Sequence, residues 1–140
     1  MANLPTTCYE TIDVRRDARH KISIVSLNRP KLGNAMNSKM WVEIPLVFNE
    51  LSNDPSVNVI VLTGKGRHFC SGIDVSSKET LFKTLGDTEN EPDGGRRGEY
   101  LLRHIQRLQR SVTSIEKCRK PVVCMIKGAC VGGGLDVAAA

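Results

Sequence analysis

Apolar and polar residues alternate over residues 9–16 and 21–27, and both stretches carry Ile and Val. With Asp17, Ala18 and Arg19 between them, they predict a β-hairpin. Asn28-Arg29-Pro30 ends the second strand. Ser38 can cap a helix whose apolar residues Met40, Trp41, Ile44, Val47, Phe48 and Leu51 recur at helical spacing, running to about Asn53. Pro45 falls inside that helix, where a missing amide and a ring clash cost about 3 kcal/mol. The pattern therefore predicts a kink there, or a helix that starts late. Residues 57–63 (VNVIVLT) are nearly continuous in β-branched side chains, the pattern of a strand covered on both faces, and Gly64 and Gly66 stop it.

A loop follows over residues 65–74, then a helix-like stretch at 78–85. Residues 86–98 gather Asp, Glu, Asn, Pro, Gly and two Arg with almost no apolar residue, which predicts a mobile segment or an active-site flap. From Glu99 to Lys117, Leu101, Leu102, Ile105, Leu108, Val112 and Ile115 mark an amphipathic helix. Residues 121–126 (PVVCMI) then read as a second buried strand. Gly132-Gly133-Gly134 opens a helix-like segment, residues 135–140, of barely two turns. An ordinary helix has about 11 residues, so the chain reads as the N-terminal portion, residues 1–140, of a single α/β domain that is cut there. Strand, glycine loop and helix occur in that order twice.

Composition changes this picture little. Among 140 residues, 40% are apolar and 25% charged, which is ordinary for a globular domain with a core. No run of about 18 apolar residues marks a membrane span, and residues 1–8 lack the layout of a secretory signal, so a cell interior is expected. The formal charge of +5 permits nucleic acid, but the basic residues are interleaved with acids and only 4% of residues are aromatic, a poor basis for base stacking. A polyphosphate ligand also suits a basic surface. Cys8, Cys70, Cys118, Cys124 and Cys130 are odd in number, form no Cys-x-x-Cys pair and have no His at zinc-ligand spacing. They are expected to be reduced thiols, mostly buried, and no metal site is expected.

The candidate chemistry lies in two loops, each just after a predicted strand: Phe69-Cys70-Ser71-Gly72-Ile73-Asp74 and Ala129-Cys130-Val131-Gly132-Gly133-Gly134-Leu135-Asp136. Glycine lets backbone approach a ligand closely, and two such loops side by side could aim two peptide N–H groups at one oxygen. Fixed donors of that kind, about 2.7–3.1 Å from a developing charge, make an oxyanion hole. A helix opening at Gly133 adds its positive dipole end. The plainer alternative is that these glycines serve only tight turns and close helix packing.

In order and spacing, Asn28-Arg29-Pro30 with Asn34-Ala35-Met36, then VIVLTGKGRHFCSGID, then KPVVCMIKGACVGGGLD resemble the signatures of the crotonase (enoyl-CoA hydratase/isomerase) superfamily. The resemblance runs from Tyr9 to Ala140 and implies a crotonase-like spiral fold of the α/β class. It also implies an acyl-CoA thioester whose carbonyl is held by the backbone amides of Ile73 and Gly133. Residues 71–75 (Ser71, Gly72, Ile73, Asp74 and Val75) match the stretch lining the CoA and acyl pocket, and Asp74 is expected to be a structural partner of loop amides rather than a base. Asp136 matches a catalytic carboxylate three residues after Gly133, about one helical turn along. SGIDV and GGGLD are most similar to the dienoyl-CoA isomerase branch, where hydratases usually carry Glu at the Asp136 position.

By that resemblance the reaction is a shift of a 3,5-dienoyl-CoA to a 2,4-dienoyl-CoA in unsaturated fatty acid β-oxidation. No cofactor is implied, since CoA is part of the substrate, and neither is a nucleic acid. The resemblance further implies a homotrimer or hexamer, working in mitochondria or peroxisomes. Enoyl-CoA hydration and a non-catalytic acyl-CoA-binding or assembly role stay open. His20, His68 and His104 match no catalytic position and are expected to be solvated or hydrogen-bonded.

Overall fold

A computed structural model describes residues 8–75 and 92–140. The helix expected at 78–85, and residues 86–91 of the expected flap, lie outside these. β1 (Ile12–Asp17) and β2 (Ile22–Leu27) form the hairpin, with Ile12 opposite Leu27 and Asp17 opposite Ile22. Asp17 Oδ1 accepts from the amides of Arg19 and His20, which shapes the turn between them. β3 (Val59–Gly64) lies parallel to β2, and β4 (Val122–Cys124) parallel to β3, giving one sheet in the order β1-β2-β3-β4. Helix α1 (Ser38–Asn53) connects β2 to β3. Among the described residues, α2 (Gly94–Glu116) precedes β4, and α3 (Gly133–Ala139) follows it.

α1 runs unbroken through Pro45. Its N-cap is Asn37, one residue before Ser38, and the Asn37 side chain accepts from the Met40 amide at 3.0 Å. Pro45 has no amide for the carbonyl of Trp41, four residues earlier. The Ser111 hydroxyl of α2 donates to that carbonyl instead. A second buried contact ties α1 to the chain before β1: the Glu43 carboxylate accepts from the amides of Glu10 and Thr11 at 2.9 and 2.8 Å, and from the Thr11 hydroxyl.

The buried residues of α1 (Met40, Ile44, Val47, Phe48 and Leu51) join Val25, Leu27, Ile60 and Leu62 of the sheet in one core. Burying side chains of this size stabilises by about 1.5–3 kcal/mol each. The alternation within β3 corrects the expectation of a strand covered on both faces: Ile60 and Leu62 are buried, but Val59 and Val61 are only half-buried. The departure is larger at 121–126, where β4 has three residues and is the last strand of the sheet among the described residues, and Val123, Met125 and Ile126 are all more than half exposed. Continuous β-branched sequence reported strand propensity correctly, not the number of covered faces.

α2 starts at Gly94, five residues before the sequence periodicity places it. Asp93 caps it by accepting from the Arg96 amide at 3.0 Å. Gly94, Gly95 and Gly98 hid this first part, because glycine is a poor helix former by about 1 kcal/mol per residue. Among the described residues, the C-terminal half of α2 packs more closely than the rest: Ser111 and Ile115 are buried, whereas Leu102 and Ile105 are exposed.

Candidate active site

The carboxyl ends of β2, β3 and β4 share one edge of the sheet, because these strands are parallel. Ligands of open α/β sheets bind in the crevice outside such an edge. Three loops meet there, over residues 28–37, 65–75 and 125–132. Asn34 holds the first to the second: it is fully buried in the left-handed conformation (φ 57°), accepts from the Arg29 amide at 2.8 Å, and donates to the carbonyls of Lys65 at 2.9 Å and His68 at 2.8 Å. Asn tolerates that conformation better than most residues. His68 fastens the third loop, its Nδ1 accepting from the Ala129 amide at 3.1 Å. Cys70 and Cys130 pair in a short parallel bridge, with Cys70 N to Ala129 O and Val131 N to Cys70 O both at 3.1 Å.

The two glycine loops therefore lie side by side, as the oxyanion geometry needs. A Cβ on Gly72, whose φ is 98°, would stand 3.2 Å from the carbonyl oxygen of Val131, so an ordinary side chain is excluded by both conformation and space. A Cβ on Gly133 would stand 3.3 Å from Met36 Sδ, 3.5 Å from Ile73 Cγ1 and 3.6 Å from Trp41 Cζ2. Ile73 and Gly133 are thus direct neighbours. Ile73 is held by a bridge to Met36, in which Met36 N donates to Gly72 O at 2.8 Å and Asp74 N donates to Met36 O at 3.0 Å. That pairing uses the groups on either side of Ile73 and leaves its own N–H out. Gly133 is the first residue of α3, where an N–H has no partner within the helix. Among the described residues, neither the Ile73 amide nor the Gly133 amide donates to any acceptor.

The other residues singled out in the sequence divide. Gly72 is buried between the loops, and Ser71 is exposed, its amide bonded to Gly33 O at 2.9 Å. Asp74 is buried, and its carboxylate is ion-paired with the Arg29 guanidinium at 2.8 Å. Val75 points out, 75% exposed. Asp136 lies in the exposed first turn of α3, and no hydrogen bond or ion pair engages its carboxylate among the described residues.

A cleft of about 430 Å3 opens between α1 and α2, with Ile73 on its wall. Trp41, Val42, Leu46 and Leu108 make it mostly apolar, and Arg107 stands beside His104 on the α2 side. Its size falls in the ordinary range of ligand pockets, about 300–1,000 Å3. His104 departs from the expectation for the histidines: His20 pairs with Asp17 and His68 with Ala129, but His104 Nε2 is buried and, among the described residues, meets no hydrogen-bond partner. Burial, with Arg107 adding to it, holds the His104 imidazole below its usual 6.5. Of the thiols, Cys70 alone is fully buried, with Cys118, Cys124 and Cys130 half-buried and Cys8 exposed. Burial raises the Cys70 thiol above its ordinary value, which suits packing rather than nucleophilic work. No cluster able to hold a metal ion occurs among the described residues, and no helix among them is long and apolar enough to cross a membrane.

Residues 17–140 match the family model described as Enoyl-CoA hydratase/isomerase. The peroxisomal Delta(3,5)-Delta(2,4)-dienoyl-CoA isomerase of Arabidopsis thaliana is 40% identical over 130 residues, covering 92% of this chain and 46% of its own length. The mitochondrial Delta(3,5)-Delta(2,4)-dienoyl-CoA isomerase of Mus musculus is 39% identical over 133 residues, 94% of this chain and 39% of its own length. A probable peroxisomal enoyl-CoA hydratase of Arabidopsis thaliana is 32% identical over 120 residues, 85% of this chain and 38% of its own. Among solved structures, an enoyl-CoA hydratase from Mycobacterium smegmatis superposes with a TM-score of 0.75 at 29% identity, over 92% of this chain and 44% of that one. The chain spans less than half the length of each of these relatives.

Proposed function

The chain belongs to the enoyl-CoA hydratase/isomerase family and has its crotonase-type α/β fold, and from that premise we propose that the intact protein isomerises 3,5-dienoyl-CoA to 2,4-dienoyl-CoA. The observation that carries this reading is the pair of unpartnered amides, Ile73 and Gly133, on adjoining glycine loops. Bound by both, the thioester oxygen of an acyl-CoA is polarised and an α-proton becomes acidic. Negative charge then develops on that oxygen, so donors fixed there stabilise the transition state more than the bound substrate. Asp136 is assigned one of the proton transfers between the separated carbons of the resulting enolate-like intermediate. Residues 71–75 bind the CoA and acyl portions chiefly through backbone. CoA enters as part of the substrate, with no separate cofactor.

Dienoyl-CoA isomerases at 39–40% identity favour isomerisation over hydration. Hydration remains the second reading because a probable enoyl-CoA hydratase is 32% identical. The relatives named peroxisomal and mitochondrial support one of those compartments for this protein, and a homotrimeric or hexameric assembly is part of the same proposal.

Calorimetry on the intact protein tests the site. Gly133→Pro deletes one amide at a first helical position, where proline's backbone angle is tolerated. Gly133→Ala adds only the Cβ. Saturable acyl-CoA binding that survives Ala much better than Pro is the expected result. Equal binding by wild type and Gly133→Pro would count decisively against the oxyanion assignment.

A further inference from the structure

We propose that Arg29 and Asp74 are positioning residues: their buried ion pair keeps the Ile73 amide aimed at the thioester oxygen, and so sets how strongly that oxygen is polarised. The inference rests on the oxyanion reading above and adds to it the side chains that hold one of its two donors.

The aim of the Ile73 N–H follows from its peptide unit. No peptide bond among the described residues is cis, so the Gly72 carbonyl and the Ile73 N–H point to opposite sides of the strand. The carbonyl accepts from the Met36 amide at 2.8 Å. The N–H is thereby turned away from residues 28–37 and toward the second glycine loop, which adjoins Gly72 through Val131 and Gly132. Both backbone bonds that flank Ile73 run to Met36, and a segment held through one residue can still rock about it. A third tie comes from a side chain: Arg29 Nη1 donates to Asp74 Oδ2 at 2.8 Å and also to the Ala35 carbonyl.

Burial makes that tie stiff. The Asp74 and Arg29 side chains are 5% and 17% exposed, and breaking such a pair leaves an uncompensated buried charge. Arg29 is itself anchored, its amide donating to Asn34 Oδ1 at 2.8 Å and its carbonyl accepting from the amides of Leu32 and Asn34, each at 3.0 Å. Both protons of Nη1 are engaged within the loops, and the guanidinium charge is matched by the Asp74 carboxylate. The pair therefore works through Ile73 rather than on the substrate. A displacement of about 1 Å at such a donor can cost about 10²-fold in rate.

The test is the infrared frequency of the thioester carbonyl in a saturated acyl-CoA, labelled there with carbon-13 and bound to the intact protein, read beside turnover and calorimetric affinity. The frequency belongs to bound ligand alone, so unfolded protein does not contribute to it. Wild type should lower it relative to free acyl-CoA. Arg29→Met combined with Asp74→Leu removes both charges together, and should lose much of that lowering while kcat falls by about 10- to 10²-fold. Affinity should change far less, because the oxyanion contact strengthens mainly in the transition state. Arg29→Lys, which keeps the charge, should fall between the two. A wild-type frequency and kcat in the double variant, or in Arg29→Lys if the double variant does not bind, would overturn the inference. Loss of acyl-CoA binding in both variants would also overturn it, leaving the pair a role in folding alone. If wild type binds acyl-CoA without lowering the frequency, the oxyanion reading itself falls and this inference with it.

Discussion

The hydroxyl of Ser111 on α2 donates to the main-chain carbonyl of Trp41 on α1, the one carbonyl that Pro45 deprives of its helical partner. A residue that breaks helices is thereby turned into a docking point between two of them. Trp41 also faces the cleft, so the same bond links helix packing to the shape of the candidate site.

Removing that hydroxyl should show its worth. Ser111→Ala leaves a buried carbonyl unpaired and should cost about 1–3 kcal/mol in urea unfolding. In a Pro45→Ala background the carbonyl regains a helical amide, and the same Ser111→Ala change should then cost markedly less. Equal costs in the two backgrounds would break the link between Pro45 and Ser111.

Asn34 is expected to matter through its bonds more than its backbone angle. Asn34→Gly keeps the left-handed conformation yet loses the contacts to Arg29, Lys65 and His68. It should destabilise by about 2–4 kcal/mol, and Asn34→Ala by about 1 kcal/mol more, because Cβ disfavours that conformation. Thermal or urea melts decide it; a Gly variant as stable as wild type would mean that the loops hold together without Asn34.

These residues mark where the sequence was legible. The hairpin, α1 and the two glycine loops could be read because period-2 and period-3.6 patterns and strand-then-glycine punctuation are local signals. Ser111 and Asn34 could not be assigned their partners in that way, since those partners lie 70 and 34 residues away in the sequence. The exposure of β4 has no signal in the sequence, since strand propensity does not say which face is covered. Nothing in the local pattern around His104 signals that its Nε2 is buried. The neighbouring positions of Ile73 and Gly133 followed from the motifs, whereas the Arg29 partner of Asp74 had no signal beyond Arg29's place in the first motif.

Acid stability should carry the imprint of Asp54. Its carboxylate accepts from the Ser56 hydroxyl at 2.6 Å and the Ser56 amide at 2.8 Å, and pairs with Arg16. The Ser56 hydroxyl leads in holding the carboxyl below its ordinary 3.8. A carboxyl lowered in the folded state contributes stability that is complete above its unfolded value and is lost as pH falls through the folded value. Asp54→Asn should therefore cost about 1–2 kcal/mol at neutral pH, with a gap to wild type that narrows below about pH 3.8. A gap constant from neutral to strongly acid pH would remove the ionised form from the explanation.

The role proposed for Asp136 is open to a kinetic test. Asp136 stands in the first turn of α3, three residues after Gly133, and nothing among the described residues neutralises it. If it moves a proton in the rate-determining step, Asp136→Asn in the intact protein should lower isomerase kcat by about 10² or more, the usual contribution of a positioned acid or base. Acyl-CoA affinity should change far less, because the Ile73 and Gly133 amides remain in place. The assay follows the conjugated 2,4-dienoyl-CoA chromophore, with hydration of a 2-enoyl-CoA measured in parallel on the same preparation. Efficient hydration without isomerisation would replace the isomerase reading by the hydratase one. Unchanged isomerisation by the Asn variant would reduce Asp136 to a structural residue, while absence of both activities alongside intact acyl-CoA binding would identify a binding or assembly role.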